Sequence, residues 1–288
     1  MDRRVLLTGA TGFTGQRVYH LLNKKADVTC FVRKTSDTSV LGDDVKLAYG
    51  DLSDIDSLKA AMKNVDELVY VASMENGHGE QAVKAAEESG IVRSIFVSTT
   101  GILTTLNPDL KEERSLAEEA VKKSGLSWTL IRPTMIYGHI GDRNMERLIS
   151  WLKKYPVFLM PGGGKALQQP VHVDDLAEGI VRAWSKKISR KKIYTMSGKE
   201  PEQLLSVVQT IGKKLHRKIW LIPLPISPFV FMLRLYERLA YTPRIRADQI
   251  QRFSENKAFG HDLAREDLGF KPRSFAEGID TLIEELAS

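Results

Sequence analysis

Cysteine is almost absent from this sequence. The 288 residues include a single cysteine, Cys30, within an apolar segment, which excludes an internal disulfide and a cysteine-rich metal site. We therefore predict no metal site and expect Cys30 to be a small buried hydrophobic residue. A signal-peptide pattern is also lacking at the amino end, where the chain enters a predicted strand directly, so the expected compartment is the cytoplasm.

Long uncharged segments and strongly basic blocks are missing as well. The uncharged stretch at residues 219–233 covers 15 residues, whereas a membrane-spanning helix needs about 20, so we predict no transmembrane segment. The 42 Lys and Arg residues exceed the 36 Asp and Glu residues, giving a net charge of +6. This excess is spread over many segments, and we expect no nucleic-acid partner. A hydrophobic content of 42% excludes a disordered chain.

The sequence does contain a short apolar run followed by three regularly spaced glycines. Residues 5–8 have the composition of a buried strand, and Gly9, Gly12 and Gly15 follow at intervals of three. Glycine permits a tight turn and a close approach of the backbone to a pyrophosphate, while the amino end of the next helix supplies free N–H groups and partial positive charge. The alternative is a turn that serves only the packing of helix on strand.

Predicted strands and helices alternate through the first half of the chain. Apolar strand patterns recur at residues 28–32, 45–49, 66–72, 94–98 and 128–131. Helical patterns between them include residues 13–23, 80–89 and 110–123. This alternation predicts an α/β fold with a Rossmann-type, doubly wound parallel sheet that binds its ligand at the carboxyl ends of the strands.

The regular alternation fades after residue 138. We expect residues 1–138 to form a dinucleotide-binding domain and residues 139–288 to form mainly a smaller α/β subdomain on the substrate side. Segments such as residues 168–195 are expected to return to the first domain. In the second half we predict a loop with three glycines at residues 156–165 and a short strand leading into a helix capped by Asp174.

An apolar segment near the carboxyl end has two interpretations. A helix predicted at residues 201–215 is followed by the uncharged residues 219–233, where Pro223, Pro225 and Pro228 are expected to break any helix. We expect this segment to pack in the core or to cover a substrate pocket. The alternative is contact with a membrane interface through its aromatic residues and the flanking basic residues.

The end of the second predicted strand indicates the class of dinucleotide. An acid at this position accepts a hydrogen bond from the ribose 2′-hydroxyl of NAD, but here Arg33, Lys34, Thr35 and Ser36 follow the strand. A guanidinium beside hydroxyl groups suits a 2′-phosphate, so we predict NADP rather than NAD. The alternative is that Arg33 is a solvated charge at a strand end. Asp51, beyond the third predicted strand, suits the exocyclic amine of adenine or the cap of a helix.

These patterns resemble the extended and atypical short-chain dehydrogenase/reductase superfamily. Its NAD(P)-binding members include proteins similar to nucleotide-sugar epimerases and to nitrogen-metabolite repressors. The resemblance follows the family order through about residue 185 and returns near the carboxyl end. The matching segments are residues 8–15, 50–52, 97–101, 124–126, 132–133, 137–138, 171–175 and 267–272.

The resemblance implies an NAD(P) cofactor held along the carboxyl ends of the strands. The glycines would contact the pyrophosphate, Arg33 the 2′-phosphate, Asp51 the adenine, and the turn at residues 133–136 the nicotinamide. The full set of cofactor residues that it implies is Gly9, Thr11, Gly12, Phe13, Thr14, Gly15, Arg33, Asp51, Leu52, Ala72, Ser73, Ser98, Thr99, Pro133 and Ile136.

The catalytic motif of the resembled superfamily is missing. Its members use a Tyr-x-x-x-Lys pair on a helix, in which the lysine lowers the pKa of the tyrosine and the phenol transfers a proton. Here Leu110 and Arg114 occupy the two positions, and residues 107–119 contain no tyrosine. Thr100 fits the family's Ser or Thr after the fifth strand, and Tyr137 is the candidate replacement for the proton donor.

Three functions therefore remain open. The first is an NADP(H)-dependent reductase or epimerase-type enzyme that acts on a small substrate with a non-standard proton donor, for which His172 is a second candidate. The second is a non-catalytic NADP(H)-binding redox sensor that regulates a partner protein. The third is a lipid- or membrane-associated structural role, which residues 219–233 suggest. A monomer and a dimer built on the helices at residues 78–89 and 110–123 are both compatible with the sequence.

Overall fold

The computed structural model describes residues 3–105, 108–239 and 255–287. The elements of the amino-terminal part are β1 (Arg4–Thr8), α1 (Gly15–Leu22), β2 (Asp27–Val32), β3 (Lys46–Tyr49), α2 (Ile55–Met62), β4 (Glu67–Tyr70), α3 (His78–Glu88), β5 (Arg93–Val97), α4 (Pro108–Lys123) and β6 (Ser127–Pro133). The remaining elements are β7 (Ile136–Tyr137), α5 (Met145–Lys154), β8 (Val157–Pro161), β9 (Leu167–Gln168), β10 (Val171–His172), α6 (Val173–Ser185), β11 (Lys192–Met196), β12 (Glu202–Gln203), α7 (Leu204–Lys214), β13 (Trp220–Leu224), α8 (Ile226–Leu239), α9 (Asp262–Leu268) and α10 (Phe275–Glu285).

Seven parallel strands of the described ranges form the central sheet, in the order β11-β6-β5-β4-β1-β2-β3. The chain adds β2 and β3 on one side of β1, and it adds β4, β5 and β6 on the other side. Doubly wound folds bind their ligands where the strand order reverses, beyond the carboxyl ends of the strands. The predicted Rossmann-type α/β class is confirmed, and the reversal lies between β1 and β4.

Helices cover both faces of this sheet. On one face, α1 packs against β1 and α6 packs against β5 and β6, through fully buried side chains that include Val18, Leu22 and Ile180. On the other face, α2, α3 and α4 pack through a second cluster that includes Leu58. Cys30 is buried in the first cluster as predicted, and burial raises the pKa of its thiol to about 12. Burial of this apolar surface is the main force that stabilises the sheet.

A third apolar cluster, which we call the carboxyl-terminal core, lies mainly in the second half of the chain. It joins α5, α7 and α10, with Ile149, Val208 and Ile279 fully buried, to the inner face of a two-stranded parallel sheet of β8 and β13. Two further strand pairs connect this part to the chain around it, β7 with β10 and β9 with β12. β11 lies at the edge of the central sheet beside β6.

Three local predictions for the second half were wrong. The glycine-containing loop begins with strand β8, because its apolar residues find a partner strand in β13, far along the chain. The helix predicted at residues 201–215 begins only at Leu204, after the short strand β12. The cap of α6 is His172 rather than Asp174, since the His172 side chain accepts a hydrogen bond from the Asp174 N–H.

The segment at residues 219–233 also differs from its prediction. It forms β13 and the first turns of α8, and Pro228 lies in the first turn of that helix, where a missing N–H breaks no hydrogen bond. Leu221, Val230 and Leu233 are sheltered, but Trp220 and Ile222 are exposed, so packing accounts for only part of the segment. None of the helices in the described ranges combines the length and the hydropathy that a membrane span requires.

Candidate dinucleotide-binding site

The turn between β1 and α1 is shaped by two glycines that leave no room for a side chain. Gly9 has a φ of +72°, and a Cβ atom on it would lie 2.7 Å from the backbone nitrogen of Ala72. A Cβ atom on Gly15 would lie 1.9 Å from the carbonyl oxygen of Gly9. The turn can therefore lie against the end of β4 while the amino end of α1 faces a cavity, a geometry that suits a pyrophosphate.

Three connected cavities, which we call the groove, follow the carboxyl ends of the strands. Their volumes are about 190 Å³ beyond β1 to β3, about 630 Å³ over the glycine turn, and about 170 Å³ beyond β4 to β6. Gly9 lines the first and second cavities, and Ile136 lines the second and third. The residues of the predicted cofactor set all line the groove: Gly9, Thr11, Gly12, Phe13, Thr14, Gly15, Arg33, Asp51, Leu52, Ala72, Ser73, Ser98, Thr99, Pro133 and Ile136.

At one end of the groove, Arg33 and Asp51 line the same cavity. The Asp51 carboxylate accepts hydrogen bonds from the backbone N–H of Ser53 at 2.9 Å and from its hydroxyl at 2.6 Å. These two hydrogen bonds lower the pKa of Asp51, and the nearby Arg33 charge lowers it to a smaller extent. Asp51 is therefore a fixed, ionised acceptor, and the exposed Arg33 guanidinium beside it is a donor suited to a phosphate. Ser36 and His78 line the same cavity.

At the other end, the groove contains an ion pair where the resembled family has its catalytic tyrosine and lysine. The Arg114 guanidinium, on α4, pairs with the Glu75 carboxylate, from the loop after β4, and both line the third cavity. Glu118, one turn further along α4, is buried and binds Arg132 of β6 with an Nε–Oε1 distance of 3.0 Å. This second pair fixes α4 against the sheet. The side chain of Leu110 lies outside the described part of the chain.

Tyr137 does not reach the groove. It follows Ile136 in β7, and because successive strand residues point to opposite faces, Ile136 faces the groove while Tyr137 is fully buried in the carboxyl-terminal core. Its ring packs 5.2 Å from that of Phe275 and 5.4 Å from that of His172. Burial raises the pKa of Tyr137 and the hydroxyl has no hydrogen-bond partner. The structure thus does not bring the proposed proton donor to the site.

His172 is also part of the core. Its side chain is buried, its Nδ1 caps α6 by accepting from the Asp174 N–H at 3.3 Å, and burial lowers its pKa to about 4. His139, His172 and Asp174 carry ligand-type atoms within 4.8 Å of one another. The two His139 nitrogens already contact Glu285 at 2.5 Å and Asp174 at 3.2 Å. Both His139 nitrogens and the His172 Nδ1 are thus engaged within the protein, and of the imidazole nitrogens only the buried His172 Nε2 has no hydrogen-bond partner. We therefore assign a structural role to the group.

Thr100 lines a further cavity, which we call the substrate-side cavity. It has a volume of about 230 Å³ and shares Thr99 with the groove. The Thr100 hydroxyl donates to the carbonyl of Pro133 at 3.1 Å, so it is engaged with the backbone that follows β6. The Gln168 side-chain amide in this cavity is buried, and its Nε2 has no hydrogen-bond partner. An unpaired donor of this kind is costly unless a ligand or water accepts from it.

The sequence patterns missed one wall of the groove. Residues 141–144, in the loop between β7 and α5, line the largest of the three cavities of the groove, together with the glycine turn. Asp142 is buried there, and its Oδ1 accepts from the N–H groups of Asn144 and Met145 at the start of α5. Burial raises the pKa of Asp142, and Arg143 places a positive charge beside it. Gly141 and Asp142 precede a helical pattern in the sequence. Such a pair predicts a turn, but it does not predict that the turn lines the groove.

Comparison with known proteins identifies the family. The sequence model of the NAD(P)H-binding family matches residues 9–184. The chain belongs to this family. Relatives named as a short-chain dehydrogenase/reductase and as a UDP-glucose 4-epimerase agree with the superfamily that the sequence resembles. The mitochondrial NADH dehydrogenase [ubiquinone] 1 alpha subcomplex subunit 9 of Mus musculus is 25% identical over 284 residues, which cover 92% of this chain and 75% of that protein.

Solved structures share the fold over nearly the whole chain. The crystal structure of gox2253 matches with a TM-score of 0.83 at 23% identity, covering 99% of this chain and 98% of that one. The NADPH-dependent quinone oxidoreductase QOR2 of Escherichia coli, in complex with NADPH, matches with a TM-score of 0.76 at 20% identity, covering 99% and 100%. At these identities the likeness shows the common architecture alone.

Proposed function

We propose that this protein binds NADPH in the groove and reduces a small conjugated carbonyl compound of the quinone class. One observation carries the proposal: the cavities continue from Arg33, through the glycine turn, to the substrate-side cavity, with Thr99 lining both the groove and that cavity. A dinucleotide along this path would have its adenosine phosphate at Arg33 and its nicotinamide near Pro133. A substrate in the adjoining cavity would then meet the reactive face of the nicotinamide.

The residues at the adenosine end support NADP over NAD. No acid follows β2 between residues 33 and 36, so the ribose 2′-hydroxyl of NAD has no carboxylate acceptor there. Arg33 instead offers a planar set of donors for a 2′-phosphate, a charge-assisted interaction of about 1.5–3 kcal/mol. The glycine turn and the open amino end of α1 fit the pyrophosphate of either dinucleotide. The cofactor, when bound, supplies a hydride.

The choice of a quinone substrate rests on two features of the described groove residues: they include no tyrosine that could donate a proton, and they include Arg114. Hydride addition to a simple ketone leaves a strongly basic alkoxide that needs a protein acid, whereas addition to a quinone leaves a delocalised anion that can take its proton from water. None of the described residues that line the groove is a tyrosine. Arg114, at the nicotinamide end and paired with Glu75, provides guanidinium N–H donors that can stabilise the negative charge of the reduced quinone.

The substrate-side cavity has the complementary polarity. Its unpaired Gln168 Nε2 is a donor for a carbonyl oxygen, and its volume of about 230 Å³ suits a compact ring. Epimerisation of a nucleotide sugar would instead begin by removing a hydroxyl proton, for which the cavity offers Thr100, already bonded to a backbone carbonyl. We therefore prefer reduction to epimerisation.

The test is oxidation of NADPH and of NADH by the purified protein, with soluble benzoquinones and naphthoquinones, a simple aldehyde and a nucleotide sugar as acceptors. We expect turnover with quinones and NADPH, little with NADH, and none with the aldehyde or the sugar. Gln168→Leu should raise the KM for the quinone about tenfold with a smaller change in kcat, since one hydrogen bond to the substrate is lost. Tight binding of NADPH without turnover of any acceptor would refute the reductase and favour the redox sensor.

The compartment remains a prediction. The single cysteine suits a reducing environment, which favours the cytoplasm, whereas the related subunit from Mus musculus is named as mitochondrial. Fractionation of the cells that make this protein would distinguish the two, because a cytoplasmic protein stays in the supernatant when organelles are removed.

A further inference from the structure

The two-stranded sheet of β8 and β13 has apolar residues on both of its faces. The register pairs Trp220 with Val157 and Ile222 with Leu159, so these four side chains share one face. All four are exposed, Trp220 by 60% and Ile222 by 47%. The residues between them on the strands, such as Leu221, pack inward on the carboxyl-terminal core. A sheet with one solvated face ordinarily carries polar residues there, and this one does not.

Two more aromatic residues extend this surface. Trp151 donates its indole N–H to the carbonyl of Val157 at 3.2 Å, and its ring lies 4.5 Å from that of Tyr155. Both aromatic side chains are exposed. We call the resulting surface the outer face, and its residues are Trp151, Tyr155, Val157, Leu159, Trp220 and Ile222. An apolar area of this extent on a folded protein marks an interaction site.

The next helix continues the exposed apolar surface of the chain. α8 begins two residues after β13 ends, and Phe231, Leu235 and Leu239 recur in it at intervals of four, which places them along one side of the helix. Phe231 is 73% exposed and Leu239 is 79% exposed. Arg234, Glu237 and Arg238 lie in the same turns. The helix thus carries an unburied apolar stripe beside two basic residues and one acidic residue.

Lysines stand directly over the aromatic rings of the outer face. The Lys154 ammonium lies 5.3 Å from the centre of the Tyr155 ring, and the Lys218 ammonium lies 4.8 Å from the centre of the Trp220 ring. Lysine side chains can lie along an apolar surface while their charges reach a polar layer above it. Tyrosine and tryptophan are the aromatic residues that favour a boundary between an apolar and a polar phase.

Positive charge is concentrated in the two segments that build the outer face. Residues 147–173 and 203–236 contain nine Lys and Arg residues and no Asp or Glu, which leaves 33 basic residues against 36 acidic ones in the rest of the chain. One of the nine, Lys214, is paired with Asp280 at 2.6 Å. The net charge of +6 therefore arises from this part of the molecule, although the whole sequence shows no single basic block.

We propose that the outer face docks on an anionic phospholipid surface. Insertion of its aromatic and aliphatic side chains at the headgroup boundary removes apolar area from water, and the surrounding cations attract acidic headgroups. A second copy of the chain is the less suitable occupant, because the two acid-free segments would bring like charges together. If the proposed reductase activity holds, binding would keep the enzyme at a membrane surface. Apolar quinones partition into the lipid there.

Sedimentation with vesicles tests this docking. The probes are vesicles of phosphatidylcholine alone and vesicles in which part of it is replaced by phosphatidylglycerol, with the full-length protein. We expect binding to the anionic vesicles that weakens as salt is added, and little binding to the neutral ones. Lys154→Gln with Lys218→Gln should weaken binding to anionic vesicles by about fivefold for each lysine, and Trp220→Ser with Ile222→Ser by at least about tenfold.

Matched controls are the exposed apolar residues of other surfaces, Val92→Ser and Leu116→Ser, which should bind vesicles like the unchanged protein. Retained NADPH binding by every variant shows that the fold is intact. The proposal is overturned by equal binding to both kinds of vesicle, by no binding, or by binding that the Trp220 and Ile222 changes leave unaltered. Concentration-dependent dimerisation without lipid, abolished by those same changes, would assign the face to a second copy instead.

Discussion

The two ends of the groove are built in different ways. At the end proposed for the adenosine, the groove consists of backbone that only glycine can adopt, an aspartate held by its neighbouring serine, and an exposed arginine. At the nicotinamide end, Arg114 and Glu75 are charged residues of the groove that pair with each other. Tyr137, which follows the groove residue Ile136, faces the core. This difference indicates that binding a dinucleotide and catalysing its reaction are separate requirements, which separate residues meet.

The largest effect is expected from Gly15→Ala, which tests the adenosine and pyrophosphate end. The added Cβ would lie 1.9 Å from the Gly9 carbonyl oxygen, so the turn must move, and overpacking of this kind costs about 1–3 kcal/mol or more. We expect at least about a hundredfold loss of NADPH affinity by calorimetry, because several backbone donors shift together. The control Gly125→Ala meets only a carboxylate oxygen at 3.6 Å and should bind NADPH normally.

The next effect concerns the core behind the nicotinamide end and depends on pH. Burial lowers the pKa of His172 from 6.5 to about 4, so below pH 6.5 the unfolded chain binds a proton that the folded protein binds only near pH 4. Stability is therefore lost as the pH falls through this window, by roughly 3 kcal/mol in all. Urea unfolding at several pH values should show it. His172→Asn, which keeps a capping acceptor, should flatten the dependence; an unchanged pH slope would contradict a neutral His172.

Arg114→Gln tests whether the nicotinamide end contributes charge to the reaction. We expect kcat for a quinone to fall about 10–100-fold, since a preorganised guanidinium donor near the developing anion is removed and the Glu75 carboxylate loses its partner, while NADPH affinity changes much less. Arg114→Lys should recover part of the rate because it restores the charge without the guanidinium geometry. Lys123→Gln, on the exposed side of the same helix, is the control. An equal loss of NADPH affinity would show that Arg114 only holds the cofactor.

The smallest effect is expected from Tyr137→Phe. The hydroxyl is buried without a hydrogen-bond partner, so its removal should leave the free energy of unfolding unchanged or raise it by about 1 kcal/mol. Turnover should stay within about twofold of the unchanged protein, because the side chain does not line the groove. A large loss of turnover in a stable variant would show that Tyr137 takes part in catalysis. It would contradict the difference described between the two ends of the groove.

Local sequence was sufficient for the parts of the fold that depend on local pattern. The central strands are continuous apolar runs between helical patterns, and the glycine spacing marked the turn that opens the groove. The residues that line the adenosine end follow directly after strands, where a parallel sheet collects them at one edge. Arg33 and Asp51 could therefore be placed in one site without knowledge of the tertiary structure.

The rest depends on contacts between residues distant in the sequence. β8 is a strand because β13 pairs with it more than sixty residues later. The Arg114 and Glu75 pair likewise joins two separate elements, and its residues are 39 positions apart in the sequence. The burial of Tyr137 follows from the alternation of the two-residue strand β7, which is too short to be seen as a pattern. The sequence suggested a membrane contact for residues 219–233 but could not show the whole outer face, because four of its residues come from positions 151–159 and the other two are Trp220 and Ile222.

The most direct test of the account is calorimetric titration of the unchanged protein and of Arg33→Ala with NADPH and with NADH. The unchanged protein should prefer NADPH. Arg33→Ala should lose about 10–100-fold in NADPH affinity, with NADH binding altered by less than about threefold, because only the contact with the 2′-phosphate is removed. Lys34→Ala, the exposed neighbour, should leave both affinities unchanged. Unaltered NADPH binding by Arg33→Ala would contradict the assignment of Arg33 and the cofactor choice derived from it.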